Sequence, residues 1–308
     1  MNSQIFFAKI LLFGEYGILK KSKAIIIPFH KFSGGLKIGN LGNSDIKKSN
    51  RSIKNLFNYL KKYNHKNNFN SVQFEDDLNN GLFFESTIPT GYGIGSSGAL
   101  VAAIYHRYFF NKIDNDKNII SKNLIKLKEL FSEIESYFHG TSSGIDPLNS
   151  YVGFPLLINS ADEIKITTLP NNDIESNRGL FIICSGKSSE TGNFMKIFFD
   201  LFKESDFEKS FNKKFILPTD DCVNSLVNCE FDSFSKNFNI LSQFTYEKLN
   251  PMIPANFNQI WTRGLNTGNY FLKLCGSGGG GYLIGFSNDL DKAKKELLDY
   301  KFEVIIKF

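Results

Sequence analysis

The sequence predicts an α+β protein of two domains, and three observations predict it. The chain has 308 residues, long for one hydrophobic core and comfortable for two. Short strand-like runs alternate with helical patterns, and no repeat recurs at a fixed period. Glycine-rich turns occur twice, "GYGIGSSG" at 91–98 and "GSGGGG" at 276–281, each beside apolar segments. Two α+β layers meeting at a cleft are the expected arrangement. The boundary is expected between 160 and 180, giving domains 1–170 and 171–308.

The elements follow in order. Residues 4–30 place apolar runs around glycine turns, which reads as strand, turn, strand. In "SIKNLFNYLKKYN", Ile53, Leu56, Phe57 and Leu60 fall at helical spacing, with Ser52 placed to cap the helix. "GLFFESTIPTG" reads as a strand running into a loop. "SSGALVAAIYHRYFF" reads as a helix with a serine as its N-cap. Between about 121 and 138, Leu124, Leu127, Leu130, Phe131, Ile134 and Phe138 form one apolar stripe. At 100° per residue Glu135 borders that stripe and Glu133 lies opposite. "HGTSSGIDPLNSYVGFPLLI" gives a loop, a short helix and a strand. "GLFIICSGKSSETGNFMKIFF" gives a strand, a polar loop and a helix. A helical section over 195–270 leads to strand, glycine loop and strand, and the chain closes on helix and strand.

Composition excludes several classes. The formal net charge is +5, with 42% hydrophobic and 22% charged residues. The lysines are scattered rather than gathered in a stripe interleaved with aromatics, so nucleic acid is not the expected partner. An anionic small substrate fits this balance. The four cysteines, Cys184, Cys222, Cys229 and Cys275, form no C-x-x-C pair, and four histidines offer no metal-ligand spacing. Cys184 and Cys275 stand in apolar runs, as buried reduced thiols do. The first residues lack the charged n-region and cleavage site of a signal peptide. No window reaches the apolar length of a membrane span, so a cytoplasmic enzyme without a membrane partner is expected.

The loop at 91–98 carries the chemistry. Glycines let backbone approach a ligand closely. A helix that opens from such a loop aims free N–H groups at one point, at the positive end of its macrodipole. Serine hydroxyls there can bind phosphate or Mg²⁺. The competing reading is a tight turn with a serine cap. "GIGSSG" also satisfies G-x-G-x-x-G, so an NAD-dependent oxidoreductase is a remote alternative. That pattern alone is weak, and the preceding "LFFESTIP" mixes polar residues into its run, unlike a strand buried on both faces.

Three segments together resemble the signature motifs of the GHMP kinase family. "AKILLFGEYGIL" is similar to the first, "PTGYGIGSSGAL" to the second and "LCGSGGGGYLIGF" to the third, in the family's order and spacing. Among its members the mevalonate kinases are the nearest. Lys9, Leu12, Gly14 and Glu15 match their first motif, and Glu135, His139, Gly140, Ser143, Gly144 and Asp146 match their Glu…His-Gly-x-x-Ser-Gly-x-Asp segment.

The resemblance implies a two-domain GHMP-kinase-like fold with the active site in the cleft between domains, ATP and Mg²⁺ as cofactors, and mevalonate as acceptor. It implies an ATP loop of Gly91, Gly93, Ile94, Gly95, Ser96, Ser97 and Gly98, with Mg²⁺ held by Ser97 and Glu135. Asp146 and Lys9 are the implied catalytic pair. Glu15, Tyr16, Lys187, Thr191, Gly276, Ser277, Gly278 and Gly279 are the implied substrate-binding residues. A homodimer is a family-level expectation.

The residues themselves support part of this. Lys9 lies in the apolar run "FFAKILLF", where its ammonium needs an acceptor, and Asp146 is the obvious one; the bland alternative is a lysine on an exposed edge strand. Asp146 precedes Pro147 and is, from the residues alone, better read as a helix N-cap. His139 reads as a cap or packing residue. Two departures bear on the acceptor. Phe7 and Ala8 stand where the family has Pro-Gly. Tyr16 stands where mevalonate kinases have a histidine, as in some phosphomevalonate kinases, which leaves phosphomevalonate as the alternative acceptor. A protein that binds nucleotide without catalysis is the third rival.

Overall fold

The computed structural model describes residues 4–62, 69–114, 116–170, 173–186 and 191–308. Two compact units emerge, and neither is one continuous stretch. The first comprises Met1–Ile10, Ile27–Pro89 and Gly95–Phe154; the second comprises Leu11–Ile26, Thr90–Ile94 and Pro155–Phe308.

The strands are β1 (Phe6–Phe13), β2 (Ala24–Ile38), β3 (Leu82–Ser86), β4 (Leu156–Ser160) and β5 (Glu163–Ile166), in the order β1-β2-β4-β5 with β3 also on β2. Within the first unit β2 pairs antiparallel with β3, from Gly34 opposite Ser86 to Ile38 opposite Leu82. Within the second unit Ala24, Ile25 and Ile26 pair with Ile158, Leu157 and Leu156 of β4. The strand leading to "GIGSSG" is therefore antiparallel to its neighbour. A dinucleotide fingerprint needs a parallel βαβ unit, so this fold overturns the oxidoreductase alternative.

Among the described residues six helices belong to the first unit: α1 (Ser44–Lys62), α2 (Ser71–Asn79), α3 (Ser96–Tyr108), α4 (Lys117–Ser121), α5 (Leu124–His139) and α6 (Ile145–Val152). Helix α1 buries the expected Ile53, Leu56, Phe57 and Leu60, but it starts well before Ser52. Asn43 Oδ1 accepts from the N–H groups of Asp45 and Ile46, so the cap is an asparagine outside the apolar stripe, where hydrophobic period gives no signal. The helix expected over 121–138 is α5, which begins at Leu124 and follows the short α4. Asn123 donates its side-chain amide back to the Ile119 carbonyl, which closes α4 before α5 begins. Helices α3, α5 and α6 pack together around Phe131, Leu148 and the alanine-rich side of α3. Asp77 Oδ2 accepts from Tyr108 at 2.8 Å and from Arg107 at 2.6 Å, joining α2 to α3.

The second unit holds a sheet in the order β7-β8-β6-β9, with β6 (Gly179–Cys184), β7 (Phe271–Leu274), β8 (Tyr282–Ser287) and β9 (Phe302–Lys307). Its helices are α7 (Thr191–Leu201), α8 (Phe207–Phe211), α9 (Leu217–Val227), α10 (Phe231–Lys248), α11 (Asn258–Thr267) and α12 (Leu290–Glu296). The core is strongly aromatic, with Trp261, Tyr270, Phe181, Phe211, Phe234 and Phe238 fully buried. All four cysteines are free thiols; Cys275 is buried and Cys184 only partly so. Among the described residues no helix is long and apolar enough to cross a membrane.

Candidate active site

In the first unit the site grows from the start of α3. Gly95, not a serine, is its N-cap, in the left-handed region at φ 81°. An added Cβ there would come within 2.8 Å of Lys9 Cγ, so Gly95 lets the loop lie against the lysine stem. Ser96 and Ser97 become the first two helical residues, which frees their hydroxyls from capping. The expected serine cap is thus replaced by a glycine that the turn's positive φ requires.

Asp146 is not a cap either. Gly144 fills that position at φ 72°, and α6 already begins at Ile145. The glycine turn outweighs the bias that Pro147 places on its predecessor, leaving Asp146 in the first turn, where the helix dipole favours a carboxylate. The two helices touch closely: a Cβ at Gly98 would lie 2.8 Å from the Asp146 carbonyl carbon and from Pro147 N.

Lys9, 6% exposed at the side chain, places Nζ 2.9 Å from Asp146 Oδ2, while the aspartate side chain stays 34% exposed. Ser97 donates to Glu135 Oε1 at 3.0 Å, and Ser142 donates to Oε2 at 2.5 Å. Ser97 Oγ also lies 3.2 Å from His139 Nε2. Glu135 is buried at 3% exposure, whereas Glu133 faces solvent. Burial above all, then the Asp146 carboxylate, pushes Glu135 up to about 7; hydrogen bonds from Ser142 and Ser97 and the charge of Lys9 oppose the rise. The two pairs therefore lie within electrostatic reach of each other. Together they set a proton acceptor, a cation and two hard oxygen donors at the N-terminus of a 13-residue helix.

Mg²⁺, the metal implied by the resemblance, suits this donor set. It prefers oxygen ligands, takes one or two carboxylates and completes its octahedron with water and substrate phosphate. Glu135 would supply one carboxylate and Ser97 a hydroxyl oxygen. No group of three or more His, Cys, Asp and Glu side chains capable of holding a metal occurs among the described residues.

The remaining candidates fall in the second unit. Gly91, Gly93 and Ile94 belong to it, and a Cβ on Gly93 would sit 3.4 Å from the Cys275 carbonyl oxygen. Gly279 N donates to the Met252 carbonyl, fixing the late glycine turn that holds Gly276, Ser277 and Gly278. Tyr16 gives its hydroxyl to the Ser277 carbonyl at 2.5 Å and stacks on Phe198 at 4.5 Å between ring centroids. Burial, then the Glu15 carboxylate, raises that phenol's pKa. Glu15 pairs with Lys273 at 2.5 Å, with both side chains enclosed. Lys187 lies outside the described residues; Thr191 opens α7, and its side chain is likewise outside them.

Three participants escaped the sequence reading. Ser142 stands one residue before the serine that matched the motif, so only geometry could identify it. Lys273, in "FLKLCG", carries the same signal as Lys9, a lysine inside an apolar strand. His139, which the sequence reads as a cap or packing residue, shares a helix face with Glu135 through its four-residue offset.

Residues 51–153 match the family model for the GHMP kinases N terminal domain. Solved structures share the fold over nearly the whole chain. The L. major mevalonate kinase in complex with R-mevalonate is 16% identical, with a TM-score of 0.63, covering 97% of this chain and 92% of that one. The Streptococcus pneumoniae phosphomevalonate kinase is 13% identical, with a TM-score of 0.61, covering 100% and 99%. The Lactococcus lactis galactokinase complexed with galactose is 13% identical, with a TM-score of 0.61, covering 99% and 94%. No curated protein matches the sequence. Residues 51–153 thus carry a GHMP kinases N terminal domain, and the chain as a whole shares the fold of these kinases.

Proposed function

We propose that this chain, a GHMP kinase domain within a GHMP kinase fold, is an ATP-dependent kinase that phosphorylates the primary hydroxyl of mevalonate to 5-phosphomevalonate. The observation that carries the reading is the Lys9–Asp146 pair beside the Ser97–Glu135 pair at the start of α3. Phosphoryl transfer asks for alignment and charge neutralisation more than covalent help.

The N–H groups that open α3 bind phosphate oxygens, favoured by the helix dipole. Asp146 accepts the proton of the acceptor hydroxyl as its oxygen bonds to the γ-phosphorus; the bond to the bridging oxygen breaks and ADP leaves. Lys9 holds the carboxylate in one orientation and adds positive charge beside the reacting oxygen. Ser97 and Glu135 would hold Mg²⁺, which when bound neutralises charge on the transferring phosphates. The half-exposed Asp146 leaves a route for the acceptor, whereas Lys9 is enclosed.

One observation favours phosphomevalonate as a second reading: Tyr16 follows Glu15 where mevalonate kinases have a histidine, and its hydroxyl is committed to the Ser277 carbonyl. The deciding experiment offers mevalonate, phosphomevalonate, homoserine and galactose with Mg-ATP and follows ADP release. Turnover with mevalonate alone is the expected result. Turnover with phosphomevalonate only selects the second reading. Tight Mg-ATP binding with no turnover on any acceptor rejects both.

A further inference from the structure

We propose that His139 is a positioning residue that accepts a hydrogen bond from the Ser97 hydroxyl and so turns a Ser97 lone pair toward the cation held with Glu135. This rests on the kinase reading above and extends it to a residue outside the metal and catalytic pairs.

Glu135 and His139 stand four residues apart on the last turns of α5 and so share a face. Ser97 Oγ faces both, 3.0 Å from Glu135 Oε1 and 3.2 Å from His139 Nε2. A serine hydroxyl has one proton and two lone pairs. While that proton points at Oε1, the two oxygens are joined by a hydrogen bond, and the proton occupies the space a shared cation needs. Glu135 cannot rotate away, because Ser142 holds Oε2 at 2.5 Å. The Ser97 proton must therefore move for both oxygens to face one ion. Nε2 of a neutral imidazole carrying its proton on Nδ1 is an acceptor within reach. Swinging the hydroxyl from Oε1 to Nε2 changes no bond and moves no net charge. His139 is exposed, so replacing it removes the acceptor without opening the core.

The experiment reads Mn²⁺ binding by the loss of the free-ion paramagnetic resonance signal, with the protein saturated by the β,γ-imido analogue of ATP. Steady-state constants for ATP and acceptor are measured beside it. His139→Phe removes both ring nitrogens and His139→Ala removes the ring; His139→Gln restores an acceptor at similar reach. Mn²⁺ affinity should weaken about tenfold in the Phe and Ala variants, the scale of one net hydrogen bond. His139→Gln should recover most of it, and the acceptor KM should hold steady. In a Ser97→Ala background the His139 substitutions should have no further effect. Unchanged Mn²⁺ affinity in both the Phe and Ala variants overturns the inference, as does an equal loss with Ser97 already removed. Either result leaves the kinase reading intact. A wild-type protein that binds no Mn²⁺–nucleotide complex overturns the kinase reading and the inference with it.

Discussion

Lys9 and Asp146 form an ion pair through Oδ2 in which the ammonium is enclosed and the carboxylate is not, 6% against 34% exposed. The asymmetry divides the labour. The lysine is enclosed by its surroundings, while the aspartate keeps an edge open to solvent.

Asp146→Asn and Lys9→Met should each cut kcat, by about 10²–10⁴-fold if Asp146 accepts the proton, with a much smaller change in KM for ATP. Steady-state kinetics check this. A Lys9→Met protein with undiminished kcat sinks the role given to the pair.

Glu135 predicts how stability responds to pH. Its folded-state value is raised from 4.5 to about 7, so the folded protein holds this proton more tightly than the unfolded chain does. The resulting stability is fully present below about 4.5 and is lost as the pH rises through about 7. Metal-free protein should therefore lose up to roughly 3 kcal/mol from this group between pH 4.5 and pH 8. Glu135→Gln should remove that slope. Urea denaturation of both proteins across this range tests it, and parallel curves would refute it.

Gly98→Ala should disturb the site without touching a polar group. Its new Cβ meets the backbone of Asp146 and Pro147 at 2.8 Å, and backbone cannot yield as a side-chain tip can. Overpacking of this kind costs about 1–3 kcal/mol, and a displacement near 1 Å can lower turnover about 10²-fold. Thermal melting together with kcat measures both, and wild-type kcat would argue against close α3–α6 contact.

The enclosed Glu15–Lys273 pair should behave as a buried ion pair. Lys273→Met alone removes the ion-pair partner of a buried carboxylate and should cost about 3–5 kcal/mol, whereas adding Glu15→Leu should return most of that loss. Chemical denaturation of the single and double variants decides it; an additive pair of losses would contradict the coupling.

Much of the fold was legible because apolar period reports burial. The stripe of α5, the strand–turn–strand beginning and the late strand–glycine–strand segment all follow from it. Glu135 could be separated from Glu133 for the same reason. Caps were not legible. Asn43, Gly95 and Gly144 start helices through turn geometry, and serine or aspartate cap propensities pointed elsewhere. Long-range polar partners were hidden as well. Nothing local in the sequence joins Ser142 to Glu135 or Lys273 to Glu15, because those contacts depend on how helices and strands converge.

The chain passes between its two compact units at Ile10/Leu11, Ile26/Ile27, Pro89/Thr90, Ile94/Gly95 and Phe154/Pro155. During synthesis, residues 11–26 and 90–94 leave the ribosome long before most of the residues they cluster with. A nascent chain paused near 154 carries every segment of the first unit but, of the second, only residues 11–26 and 90–94. Completing the second unit is thus a late event joining early residues to the last ones made, and a cut at 154 leaves the segments of the first unit whole while dividing those of the second.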